Sequence, residues 1–412
     1  MAKITYRVRP ETAVLSEGFD PRLSVGSARP PVYRSSTYVF ESPEAAERAF
    51  EIALGKIHPP AGETRDLIYA RLSHPNAEIL EDHLVPLEQG ARGAAVFNSG
   101  MAAIATVLLT FLERGCSLLY TQPLYGGSQH LIHQVIEPLG FVARPVTAGD
   151  GAALSAAVEQ MEDLKLVLIE TPANPTLTMT DISAAAAALR KHPKRPLLAV
   201  DNTLLGPTFQ RPLAQGADLI IYSATKFLGG FSDLLAGAVL AAETQLIQSL
   251  RGMRALFGNI LQADESWTLD SRLSTVSLRM NRQSKNAQKI AERLVSHPRV
   301  RRVIYPSLFT EPEQCRIRDS QTLFPGSMMS IELAGGKSSA FEFLRHLTIA
   351  KNAVSLGGVE TLACHPMTTT HSELSAQEMA AAGISEGLVR LSIGTEHWRD
   401  LLDDITRALE SF

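Results

Sequence analysis

Three apolar runs in this sequence end in polar residues of types that suit chemistry. Leu219-Ile220-Ile221-Tyr222 runs into Ser223, Thr225 and Lys226, with Gly229-Gly230 close behind. PLLAV leads to Asp201-Asn202-Thr203, and AAVFN leads to Ser99-Gly100-Met101. Lysine is among the residues least often buried without a partner, so its delivery to the end of a core strand needs a reason. One reading of Asp201 and Lys226 is an ion pair at a sheet edge. A second reading uses more of the residues.

A lysine in a partly dry pocket has a lowered pKa and forms a Schiff base with an aldehyde. An aspartate holds a pyridine nitrogen protonated, making the ring an electron sink. Backbone N–H groups at a helix start, as at Ser99-Gly100-Met101, bind a phosphate together with hydroxyls such as Ser223 and Thr225. Tyr125, in PLYGGS, supplies a ring to stack on the cofactor. Aldehyde, pyridine and phosphate together describe pyridoxal phosphate.

Such residues need a frame that brings strand ends together. The segments 93–100, 117–121, 164–172, 196–203 and 217–226 read as apolar strands. Helical segments lie between them: one follows Gly100 and is expected to end at Gly115, and another spans 183–191 after the start signal TDIS. Continuously apolar strands alternating with helices predict an α/β fold with a mostly parallel sheet covered on both faces. Ligands bind beyond the carboxyl ends of such strands, where the polar residues fall. A long helical stretch, 261–295, leads towards a smaller α+β region. There MMSIELAGG (328–336) and LVRLSIGTE (388–396) alternate like antiparallel strands with one exposed face. Residues 1–66, rich in Pro, Ser, Glu and Arg, show little periodicity and read either as disordered or as an arm that orders against a partner. The expected division is an N-terminal arm at 1–66 contributing to an oligomer, a cofactor-binding large domain at 67–265 and a C-terminal small domain at 266–412.

Composition narrows the function classes. The 412 residues carry a formal charge of −4, unlike the strongly basic face of nucleic-acid binders. Cys116, Cys315 and Cys364 are too few and too scattered for a disulfide framework or a cysteine zinc site. His130 and His133 lack a third ligand at a known spacing, so no metal is expected. AGGKSS lacks the first glycine of a phosphate-binding P-loop, since Ile331 stands there. No dinucleotide fingerprint or G-x-S-x-G elbow occurs. Without a run of 18 apolar residues or an N-terminal apolar region, a cytoplasmic protein with no membrane partner is expected.

The motifs FNSGMAAI, LYGG, ETPANPT, VDNT and SATKFLGGFSDLLAG occur in that order from residue 97 to 237. VSLGGVETLACHPMTTTHS (354–372) and GISEGLVRLSIG (383–394) follow. Together they resemble the Cys/Met metabolism family of pyridoxal-phosphate enzymes, which includes methionine γ-lyase, cystathionine γ-synthase, cystathionine γ- and β-lyases and O-acetylhomoserine sulfhydrylase. The resemblance implies the type I PLP-dependent transferase fold. It also implies a homotetramer, a dimer of dimers, whose active sites are shared between chains. It places a phosphate-binding Tyr-x-Arg at Tyr69 and Arg71, which pattern alone reads as an exposed helix start. It further places Asn174 near the cofactor oxygen and substrate carboxylate, Thr203 beside Asp201, and Ser355 and Arg390 at the carboxylate. An arginine fork matches a carboxylate bidentately.

The activity so implied is γ-elimination from an amino acid, as in a methionine γ-lyase, giving 2-oxobutyrate, ammonia and a thiol. Lys226 removes the Cα proton and Tyr125 protonates the leaving group. The alternatives are γ-replacement, as in cystathionine γ-synthase or O-acetylhomoserine sulfhydrylase, and cystathionine γ- or β-elimination. Two positions bear on the choice. Methionine γ-lyases usually carry cysteine after LYG, where this chain has Gly127, expected to leave more room. Val354 precedes the SLGG serine, as in methionine γ-lyases, where cystathionine enzymes usually carry glutamate or tyrosine. The segment 52–66 is unusual and is expected to reshape the entrance.

Overall fold

The computed structural model describes residues 8–57 and 66–412. Most of the unusual 52–66 segment therefore lies outside the described residues. The expected irregular arm instead contains two helices, Pro10–Ser16 and Pro43–Ala53. Each starts with proline in its first turn, and Ser42 caps the second by accepting the Ala45 N–H at 3.1 Å. Proline and serine that read as loop composition are helix-start signals here.

The larger sheet is built from β1 (Gly93–Phe97), β2 (Ser117–Gln122), β3 (Val142–Thr147), β4 (Leu164–Glu170), β5 (Leu197–Asp201), β6 (Leu219–Tyr222) and β7 (Gly237–Ala241). Their spatial order is β1-β7-β6-β5-β4-β2-β3. The run from β3 to β6 is parallel, and β7 lies antiparallel to both β6 and β1. Side chains alternate between two covered faces, which is why these strands read as continuous apolar runs. Ala199, Leu219 and Ile221 pack beside the helix Gly100–Phe111, while Ile220 and Tyr222 join the core on the other face. That helix ends at Phe111 rather than at Gly115.

The smaller sheet consists of β8 (Val300–Ile304), β9 (Met328–Leu333), β10 (Lys351–Asn352), β11 (Leu362–Cys364) and β12 (Leu388–Ser392). Its order is β10-β11-β12-β9-β8, antiparallel except between β10 and β11. Met329, Ile331, Val389 and Leu391 pack under the helices Val276–Leu294, Gly336–His346 and Trp398–Glu410. The opposite face of β9 and β12 is not exposed, contrary to the alternation-based expectation. Ser330, Arg390 and Ser392 on it are buried. Alternation marks a polar face, and here that face is turned into the protein. Among the described residues no helix is long and apolar enough to cross a membrane.

Candidate active site

A cavity of about 700 Å³ opens at the carboxyl ends of the central strands. Lys226, Asp201, Thr203, Ser223 and Thr225 line it from the ends of β5 and β6. Ser99, Gly100 and Met101 line it from the helix start after β1, and Tyr125 and Asn174 from the loops after β2 and β4. The smaller sheet and its preceding loop contribute Val354, Ser355 and Arg390. Tyr69 and Arg71 do not line the cavity of their own chain. Tyr69 bridges to Thr37 and is 42% exposed, and Arg71 donates to the Ala255 carbonyl at 2.6 Å. They sit in a bridge and turn, not at a helix start.

Lys226 and Asp201 do not pair with one another. Lys226 Nζ donates to Ser355 Oγ at 3.2 Å. Burial, and then the charge of Arg390, push the Lys226 ammonium below its ordinary range. Asp201 accepts the Thr203 N–H at 3.0 Å, and burial pushes its carboxyl up. Gly357, at φ +80°, sets the approach of the Ser355 loop: a Cβ there would lie 2.8 Å from the Phe227 nitrogen. Gly230, at φ +76°, leaves space for Arg279, which donates to the Phe227 and Leu228 carbonyls at 2.6 and 3.0 Å. These contacts hold the turn that follows Lys226.

Arg390 is 2% exposed and donates to Asn174 Oδ1 at 3.2 Å and to the Val354 and Ser355 carbonyls at 2.7 and 3.0 Å. Its Nε is buried without a partner, an orphan donor suited to a carboxylate. Tyr125 is 43% exposed and leads into the helix Gly126–Leu131. Its ring lies over Gly127, where a Cβ would fall 2.7 Å from Tyr125 Cε1 and 3.2 Å from Met101 Sδ. The room expected from Gly127 is therefore taken up by the ring of Tyr125.

Sequence reasoning did not single out Glu170 or His371. Glu170 is buried at the end of β4, in register with Asp201 on β5. Burial, and then the charge of Asp201, push its carboxyl up, against the pull of the Asn174 and Tyr125 N–H groups it accepts. Its signal was available, because ETP also ends a buried parallel strand. His371 is buried with Nε2 at 3.1 Å from the Asn174 carbonyl, and burial followed by Arg390 pushes the imidazole down to about 4. His130 also lines the cavity, 2.9 Å from Glu373. His133 contacts Glu137 at 2.8 Å.

The arrangement fits pyridoxal phosphate. The helix Gly100–Phe111 has first-turn N–H groups without intrahelical partners, next to Ser223 and Thr225. Gly100 allows close approach there, since a Cβ would fall 2.8 Å from Ser223 Oγ. Asp201 and Glu170 form a buried acidic pair for which a protonated ring nitrogen is a natural counter-charge.

Comparison with known proteins bears on this chemistry. The family described as "Cys/Met metabolism PLP-dependent enzyme" matches residues 11–410. An L-methionine gamma-lyase from Pseudomonas deceptionensis is 37% identical over 401 residues, covering 97% of both chains. A cystathionine gamma-lyase from Bacillus subtilis is 33% identical, covering 98% of this chain and all of its own. The crystal structure of cystathionine gamma synthase from Xanthomonas oryzae pv. oryzae in complex with cystathionine superposes with a TM-score of 0.88 at 35% identity, covering 98% of each chain.

Proposed function

This chain belongs to the Cys/Met metabolism family of PLP-dependent enzymes, and from that premise we propose that it catalyses γ-elimination, with L-methionine the first substrate. The products are 2-oxobutyrate, ammonia and a thiol. When bound, pyridoxal phosphate supplies an aldehyde that takes the substrate amine and a protonated ring that stabilises negative charge at Cα.

The protein's residues do the rest. Arg390 holds the substrate carboxylate through its unpartnered Nε. Lys226, once free, takes the Cα proton, and its lowered pKa keeps more of it in the neutral, basic form near neutrality. Ser355, within hydrogen-bond reach, orients its amine. Loss of a Cβ proton then forms the Cβ–Cγ double bond and expels the Cγ sulfur, to which Tyr125 gives a proton. With pyridoxal phosphate bound, Asp201, fixed by Thr203, would keep the ring nitrogen protonated, Asn174 would serve the ring oxygen, and Ser99, Gly100, Met101, Ser223 and Thr225 would hold the phosphate.

Val354 carries the choice of substrate. It lines the cavity and is 57% exposed, an apolar side chain with no acceptor for a distal ammonium. A site built to hydrogen-bond a polar group rejects analogues lacking it, whereas an apolar site discriminates weakly. The experiment is a substrate panel assayed for 2-oxobutyrate, pyruvate and thiol. Pyruvate in place of 2-oxobutyrate would move the reading to β-elimination.

The second reading, γ-replacement, uses the same residues with an external thiol as nucleophile; the Xanthomonas oryzae neighbour, named a synthase, keeps it open. The placement of Tyr69 and Arg71 outside their own cavity supports the reading that they complete the site of a neighbouring chain in a homotetramer, a dimer of dimers in which 1–66 forms an arm, 67–265 the cofactor domain and 266–412 the small domain. A cytoplasmic location accords with the absence of a membrane-spanning helix among the described residues.

A further inference from the structure

Beyond its share in the buried acidic pair, Glu170 has no role in the proton transfers above, yet its two carboxylate oxygens reach two different loops of the site. Oε2 accepts the backbone N–H of Tyr125 at 2.7 Å, and Oε1 accepts the backbone N–H of Asn174 at 2.8 Å. Its own N–H is fixed by Thr121 Oγ1 at 3.1 Å. One loop carries the ring that donates a proton to the leaving group. The other carries Asn174, whose side chain receives Arg390 and whose carbonyl faces His371. The carboxylate thus ties together two loops of the cofactor cavity, which it also lines.

We infer that Glu170 is a positioning residue, a two-ended acceptor that sets where Tyr125 stands relative to the Asn174–Arg390 pair. This rests on the γ-elimination reading for its kinetic consequence, though not for its geometry. Only a carboxylate offers acceptors at both ends. Glutamine puts an NH₂ against one of the two N–H donors, so one loop must move. A carboxylate beside Asp201 is costly to bury, and apolar packing would serve mere stability at lower cost. Displacements near 1 Å around a reacting centre cost on the order of 100-fold in rate.

The test is a double-mutant cycle on holoenzyme, with Glu170→Gln, Tyr125→Phe and the pair. Glu170→Gln should lower kcat by at least about tenfold with KM within about threefold, and on the Tyr125→Phe background the same change should cost less than about threefold. The visible circular dichroism of bound cofactor is measured alongside, without substrate. Glu170→Gln should alter that band, whereas Tyr125→Phe, which keeps a stacking ring, should preserve it. Glu170→Asp, one methylene shorter, serves if the glutamine variant fails to fold and should alter the band likewise. Losses that simply multiply, or an unchanged band with unchanged kcat, would overturn the inference. A wild-type protein that eliminates from no substrate defeats the γ-elimination reading instead, and the dichroism then decides the positioning role alone.

Discussion

The ring of Tyr125 occupies the space that a side chain at Gly127 would need, with a Cβ there only 2.7 Å from Cε1. Gly127 is thus the reason the ring of the proposed proton donor can lie back against its own helix start. Gly127→Val or Gly127→Ile should push the ring off this position and lower kcat for elimination by roughly tenfold or more. Cofactor content should be retained, because Lys226 and the phosphate residues are untouched. Steady-state kinetics on the two variants check this, and turnover equal to or above wild type would mean that the ring works from another position.

Arg71 lies away from the cavity of its own chain, donating to Ala255. Arg71→Ala should loosen cofactor binding, since charge-assisted phosphate contacts are strong. Lys226→Ala should retain cofactor and lose turnover. Mixing the two inactive variants under exchange conditions should restore some activity, because a hybrid oligomer holds one intact site. Hybrids demonstrated by mass spectrometry but lacking activity would show that sites are not shared.

Val354 offers no hydrogen bond to a distal polar group. Val354→Glu should move the ratio of kcat/KM for cystathionine over methionine upwards, by about tenfold for a newly paired distal ammonium. A ratio that stays constant would place the specificity contact elsewhere on the rim.

Burial and the nearby Arg390 hold His371 neutral, its pKa down from 6.5 to about 4. The unfolded chain therefore binds a proton that the folded chain refuses between those values. The contribution is fully present above pH 6.5 and is lost as pH falls towards 4. Between pH 6.5 and 5 this amounts to about 1.5 kcal/mol. Denaturant unfolding should show that loss, and His371→Gln should flatten it. A profile equally steep in the variant would assign the acid sensitivity to other groups.

Much of this was legible in the sequence, and the exceptions share physical causes. Lys226, Asp201 and Ser99 announced themselves because polar residues at the end of buried apolar strands have few structural uses. β3 escaped notice because Arg144 and Pro145 interrupt its apolar pattern at the sheet edge. β9 and β12 were seen as strands but with the wrong environment, since alternation reports a polar face without saying what covers it. Arg390 shows the difference: polar by pattern, buried in fact. Tyr69 and Arg71 received a role only through family resemblance, because their local sequence carries no signal of a phosphate site. Glu170 carried the same strand-end signal as Asp201 and was overlooked, while its two backbone N–H partners leave no mark in the sequence.

The central claim is elimination rather than replacement, and one comparison of rates tests it. Purified holoenzyme is given L-methionine alone, with 2-oxobutyrate and methanethiol measured, and in parallel L-cysteine with O-acetylhomoserine, with cystathionine measured. The account predicts that 2-oxobutyrate and methanethiol appear from methionine in equal amounts, at a rate exceeding cystathionine synthesis. Condensation of cysteine with the activated homoserine far faster than methionine breakdown would contradict it and establish the chain as a γ-replacement enzyme.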